Sequence, residues 1–129
     1  MNIPAAHQTI MPYLILQGAS KFIDFTKNVF GAAETNTRSL REDGTVMHAE
    51  ITLNGSTIMV TDETDDWAKQ TANLFVYVSN ADETYQKAIA NGAVSLMGLS
   101  NQDYGRTCGV TDPFGNVWWI TSVNNHHLN

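Results

Sequence analysis

A strand-and-turn pattern that occurs twice, sixty residues apart, constrains this chain more than any other feature. In Asp112-Pro113-Phe114-Gly115-Asn116-Val117-Trp118-Trp119-Ile120, Asp, Pro and Gly occupy the first, second and fourth places of a type I turn, where their backbone preferences favour them. Val117 to Ile120 then read as a buried strand. Shifted back by sixty, Asn54-Gly55-Ser56-Thr57-Ile58-Met59-Val60-Thr61 lies over Phe114-Gly115-Asn116-Val117-Trp118-Trp119-Ile120-Thr121. Turn falls on turn, strand falls on strand, and Gly and Thr coincide. Leu16 to Ala32 and Val78 to Ala93 also correspond, with one residue gained or lost in the helix. A unit of this size cannot bury both its helix and its sheet face alone, so two units are expected.

Each unit reads as strand, helix and three strands. In the first, Ile10 to Leu16 is a short apolar run with strand character. Ala19, Phe22, Ile23, Thr26, Val29 and Phe30 recur at helical spacing, and Gly31 follows where a left-handed residue closes a helix. A polar stretch from Glu34 to Leu40, a turn at Glu42-Asp43-Gly44, a strand from Val46 to Leu53, a turn at Asn54-Gly55 and a strand from Thr57 to Thr61 complete it. Strict alternation in Val46 to Leu53 puts Met47, Ala49, Ile51 and Leu53 on one face and Val46, His48, Glu50 and Thr52 on the other.

The second unit restarts at Leu74 to Val78. Asn80 with Glu83 three places on resembles a capping box. Ala81, Tyr85, Ala88 and Ile89 form the helical stripe, and Gly92 closes it. Strands are expected near Ala93 to Leu99, Arg106 to Thr111 and Val117 to Val123. The expected organisation is one domain over 1–129, with modules at 9–61 and 73–123, an acidic connector at 62–72 and a frayed tail at 124–129.

Composition narrows the functional classes. A chain of 129 residues, 43% apolar and 16% charged, is that of an ordinary globular domain. Its net charge of −6, with seven Lys and Arg in all, disfavours nucleic acid and acidic membrane surfaces as partners. Cys108 is the only cysteine, so no intrachain disulfide forms and a reducing compartment suits the chain. Met1-Asn2-Ile3-Pro4 lacks the features of a signal peptide, and no apolar run is long enough to span a bilayer. A cytoplasmic, soluble location is expected.

Several segments together resemble the PhnB-like branch of the glyoxalase/bleomycin-resistance/dioxygenase (vicinal oxygen chelate) superfamily. They are Met11-Pro12-Tyr13-Leu14, Val29-Phe30-Gly31-Ala32, Val46-Met47-His48-Ala49-Glu50, Ala90-Asn91-Gly92-Ala93 and the closing Asp112 to Ile120. Their order and spacing cover roughly residues 10 to 123. The resemblance implies an α+β fold of two βαβββ modules whose curled mixed sheets form a central cleft, usually in a homodimer. It also implies a divalent metal held by first- and last-strand residues of each module, at places that fall near Met11 and Asn73 and on Met59 and Trp119. A thioether is a poor ligand for such metals, an indole is none, and a lone Asn is weak. The chain departs from the metal pattern at all four places, and no cofactor is expected.

The polar candidates are His48 and Glu50, two apart on one strand and thus on one side. They read as a base, a hydrogen-bonding pair, part of an atypical metal site, or a pair on a half-solvated strand. The sixty-residue shift sets Cys108 opposite His48, as a buried inert thiol or a reactive one. Arg106 beside Tyr104 is either a ligand-binding cation or a surface residue. Met11, Tyr13, Met59, Phe75, Tyr77 and Trp119 are expected on the cleft side, as an aromatic and thioether lining or as a filled core. Trp67 covers the cleft mouth or anchors a loop. His126-His127 belongs to the tail, and His7 carries no motif. There is no Gly-rich phosphate loop, zinc-type Cys pair, hydrolase Ser elbow or methyl-donor loop. Three readings stay open. One is a binding module for a small aromatic or amphipathic molecule. Another is an enzyme using His48 and Glu50 on a small carbonyl or oxygenated compound. The third is a dimerising scaffold.

Overall fold

The computed structural model describes residues 1–123, so the expected tail at 124–129, with His126-His127, lies outside the described residues. The chain divides into two compact units, the first Met1–Thr71 and the second beginning at Ala72. The first contains β1 (Tyr13–Leu16), α1 (Ala19–Phe30), β2 (Ala33–Leu40), β3 (Val46–Leu53) and β4 (Ser56–Asp62). The second contains β5 (Asn73–Tyr77), α2 (Ala81–Ala90), β6 (Val94–Gln102), β7 (Gly105–Thr111) and β8 (Val117–Ser122). Each is a βαβββ module. Its four-stranded mixed sheet has the order β1-β4-β3-β2 in the first and β5-β8-β7-β6 in the second. The outer pairs β1–β4 and β5–β8 are parallel, and the remaining pairs are antiparallel.

The helices form where the apolar stripes lie. Phe22, Ile23, Phe25, Thr26 and Val29 of α1 are buried, against the sheet face that carries Leu14, Leu16, Ala49, Ile51, Ile58 and Val60. Gly31 (φ 70°) closes α1 as expected, with its N–H and that of Ala32 reaching back to the carbonyls of Lys27 and Thr26. The start of α1 is unusual. Gly18 supplies no side-chain cap, and Asp62 takes the role from a distance by accepting the N–H groups of Gly18 (3.0 Å) and Ala19 (2.8 Å). Asn80 caps α2 through the Glu83 N–H (3.1 Å). Glu83 itself pairs with Lys87, so only half of the expected capping box is built.

In the second unit, Trp118 and Ile120 of β8 and Cys108 and Val110 of β7 are buried. The turn before β8 is organised by Asp112. Its main-chain carbonyl accepts the Gly115 N–H (3.2 Å), closing the expected turn. Its carboxylate accepts four hydrogen bonds, from the N–H of Phe114 (2.8 Å) and Asn116 (2.9 Å), the Asn116 amide (3.0 Å) and the Trp118 indole (2.8 Å). A buried carboxylate is tolerated here because donors surround it.

Three expectations need correction. The first strand begins at Tyr13, not Ile10, which is 82% exposed. Pro12 has no N–H for a ladder, and its carbonyl accepts the Met59 N–H just before pairing starts. Secondly, β3 does not alternate strictly. Ser39 of β2 pairs with His48 while the next residue, Leu40, pairs with Val46, a bulge that places Met47 out of step. Val46 is therefore fully buried, with Ala49 and Ile51, and Met47 is half exposed instead of facing the helix. Thirdly, Cys108 is not the counterpart of His48. Met59 pairs with Glu50 and Val60 with Ala49, whereas Trp119 pairs with Gly109 and Ile120 with Cys108. The shift is sixty for the last strands but fifty-nine for the strands before them, because the two hairpin turns differ in length. Gly109 matches Glu50, and Cys108 matches Ala49.

Asp112→Ala is expected to lower unfolding free energy by about 3 kcal/mol or more, because four buried donors lose one acceptor. Urea denaturation of the variant checks this; a loss within about 0.5 kcal/mol would contradict the role given to the turn.

Candidate functional site

The face of the first sheet turned away from α1 carries two features that adjoin. One is polar. His48 and Glu50 do lie on one side of β3, with Nε2 of His48 2.8 Å from Glu50 Oε2. The other carboxylate oxygen is taken by His7, whose Nε2 stands 2.7 Å from Oε1. Glu50 is only 7% exposed. The hydrogen bond from His48, then that from His7, hold its carboxyl below the ordinary carboxylate range against the opposing effect of burial. An ionised carboxylate has no proton to give, so both imidazoles donate to it.

His7 carries no sequence motif, and its place is set by the residue after it. The Gln8 side chain donates to the Thr57 carbonyl (2.8 Å) and accepts the Thr57 N–H (3.2 Å), copying a strand's hydrogen bonds at the edge of β4. The Thr57 hydroxyl also donates to the Ala6 carbonyl. A Gln pairing across 49 residues leaves no trace in local periodicity.

The other feature is a cavity of about 540 Å³ lined by Tyr13 and Ile15 of β1, Met47 of β3, Thr61 of β4, Arg41 before β3, and Trp67 and Gln70 of the segment after β4. The alternation that buries Leu14 and Leu16 turns Tyr13 and Ile15 to this side. The bulge delivers Met47. The segment 63–71 returns along β1, where Ile15 and Gln70 exchange N–H···O bonds (3.1 and 2.9 Å). A turn from Thr64 to Trp67 sets the indole, which is 66% exposed. An edge-on contact between Tyr13 and His48, 6.3 Å between ring centroids, joins cavity to polar cluster.

Of the residues singled out from sequence, Met59 stands beside Tyr13 and Glu50 in register, and Met11 precedes β1 with its sulfur accepting the Gln8 N–H (3.5 Å). Ile15, Arg41, Thr61 and Gln70 also line the cavity and carry no signal in the sequence. Nothing in a turn's Arg or a connector's Gln marks it before the chain is folded.

The corresponding face of the second sheet is aromatic. Phe75 lies 5.3 Å from Tyr77 and 6.3 Å from Tyr104, ring to ring, and all three are more than half exposed. Trp119 donates its indole N–H to Asn73 (2.6 Å). Its ring lies over Gly109, where a Cβ would come within 2.5 Å of it. The side chain that Glu50 projects in the first unit is thus replaced by an indole in the second. Arg106 is elsewhere. It is chelated by Asp82 of α2 through two bonds of 2.8 and 3.1 Å, on the helix-facing side. Cys108 is fully buried, and burial pushes its thiol up to about 11, an inert group.

The chain belongs to the glyoxalase/bleomycin resistance protein/dioxygenase superfamily, whose model matches residues 10–120. An uncharacterized protein of Mycobacterium bovis, Mb0911c, is 29% identical over 121 residues, covering 84% of this chain and 79% of that one. A Bacillus cereus PhnB protein, described as a putative 3-demethylubiquinone-9 3-methyltransferase, superposes with a TM-score of 0.74 at 24% identity over 90% of this chain and 100% of that chain. TnmS3, an antibiotic binding protein from Streptomyces sp. CB03234, superposes at 0.68 with 17% identity over 92% of this chain and all of that chain. These likenesses establish the fold.

The family's divalent metal does not fit the residues at its usual places. Met11 and Met59 are thioethers, Trp119 is an indole, and the Asn73 oxygen already accepts the Trp119 N–H. Among the described residues, no three His, Cys, Asp or Glu side chains converge to hold a metal ion. Nor is any helix among them long and apolar enough to cross a membrane.

Because the folded-state pKa of Glu50 is depressed, its stabilising contribution is full above the unfolded value and is lost as pH falls through the native one. Glu50→Gln is expected to cost about 2 kcal/mol at pH 7 and to flatten the acid limb of the stability curve. Urea midpoints between pH 7 and pH 3 check this; parallel curves for variant and wild type would contradict it.

Proposed function

We propose that the protein is a binding protein, not a metal enzyme, that takes a small planar or amphipathic molecule into the cavity of its first unit. A cytoplasmic homodimer completes this reading. One observation carries it: a space of about 540 Å³ walled by Tyr13, Ile15, Met47 and Trp67. That volume is of ligand-pocket size. Aromatic and thioether side chains grip a planar apolar body by stacking and dispersion, while Arg41, Thr61 and Gln70 supply the few polar groups that orient it. The antibiotic-binding description of TnmS3 accords with the same use of the fold.

A second reading rests on Glu50 bridging two imidazoles. A carboxylate that accepts the Nε2–H of His48 leaves Nδ1 to take a proton from a small carbonyl or oxygenated compound. Solvent-deuterium exchange into such compounds, abolished in His48→Gln, would favour this reading over simple binding.

For the binding reading, a panel of planar aromatic compounds is expected to raise the melting temperature of the wild type by several degrees at saturation. Ile15→Trp, which fills the cavity, removes the effect. Failure of every compound to shift the wild type, or equal shifts in Ile15→Trp, would contradict the cavity as the site.

A further inference from the structure

We infer that the molecule bound in the cavity carries a carboxylate, chelated by Arg41; this rests on the cavity being the binding site. The chain has three arginines. Two are chelated by carboxylates in the same way. Arg38 grips Glu34 through Nε (2.9 Å) and Nη2 (2.8 Å), and Arg106 grips Asp82 through Nε (2.8 Å) and Nη2 (3.1 Å). Arg41, on the cavity wall, has no such partner among the described residues.

Its Nη1 reaches the Thr45 hydroxyl (3.3 Å) and the carbonyls of Val46 and Asp62 (both 3.2 Å). Its Nη2 reaches the Thr61 hydroxyl (3.2 Å). All four acceptors are neutral, and all four bonds are long. Nη1 is anchored to the fold, while Nε, half of the fork that the other two arginines use, has no acceptor among the described residues. The fork matches a planar carboxylate, and only a charged acceptor answers the guanidinium fully. Asp43 is an acidic competitor whose carboxyl feels the Arg41 charge. The Thr45 hydroxyl and N–H occupy Asp43 and hold its carboxyl low, with Arg41 contributing less than either. The Asp62 carboxylate is committed to three backbone N–H groups.

Tyr13, Ile15, Met47 and Trp67 then take the apolar body attached to that carboxylate. One guanidinium in a chain of net charge −6 suits a single negative charge better than two.

Isothermal titration with naphthalene-2-carboxylate and its neutral isostere naphthalene-2-carboxamide tests the inference. The wild type is expected to bind the acid on the order of tenfold or more tightly than the amide. Arg41→Gln makes the two equal, and Arg41→Lys, which keeps the charge without the fork, gives an intermediate ratio. Met47→Trp, which blocks the cavity, abolishes binding of both. If Arg41→Gln does not fold, the wild-type ratio and Met47→Trp decide. Binding of the amide as tightly as the acid overturns the inference and leaves the cavity reading standing. Acid binding that survives Met47→Trp, or failure of the acid to bind the wild type at millimolar concentration, overturns both.

Discussion

The Asp62 carboxylate ties together the elements that shape the first unit. It accepts the N–H groups of Gly18 and Ala19 at the start of α1, and that of Val46 (2.7 Å) at the start of β3. It is itself the last residue of β4 and is 8% exposed. One side chain thus caps a helix that has no cap of its own and fixes two strands relative to it. Val46, held by this bond, is drawn into the core. The chain regains its step through the bulge at Met47, which moves that side chain to the cavity side. The backbone carbonyls of Val46 and Asp62 are then the acceptors that anchor Arg41. Cavity wall and cationic end both descend from the same constraint.

The two units share a scaffold and differ in what they place on it. At equivalent register, the first presents Glu50 with two imidazoles, and the second presents Gly109 beneath the Trp119 ring. The missing Cβ at Gly109 is what lets the indole lie flat. The first unit therefore keeps polar chemistry and a cavity. The second has an exposed aromatic surface of Phe75, Tyr77 and Tyr104, with its one arginine neutralised by Asp82.

Sequence periodicity reveals the two βαβββ modules because each helix and most strands bury one regular face. Gly31, Asn80 and the Asp112 turn behave as their local chemistry dictates. It misleads where regularity breaks. Strict alternation assigns Met47 to the helix side because a bulge is invisible in an apolar run, and a constant repeat offset misaligns Cys108 because the hairpin turns differ by one residue. The candidate site is legible only in part. His48 and Glu50 share a strand and so share a face. His7 meets Glu50 across 43 residues, and Arg41, Trp67 and Gln70 come from a turn and a connector whose course depends on the folded edge of β1.

Methyl-labelled methionine spectra test the central claim most directly, because the methionines report on separate places. Met47 lines the cavity, and Met97 lies on β6 of the second unit. On titration with naphthalene-2-carboxylate, the Met47 methyl resonance is expected to shift in a saturable manner while that of Met97 stays in place. A saturable shift at Met97 with Met47 unmoved would contradict the account.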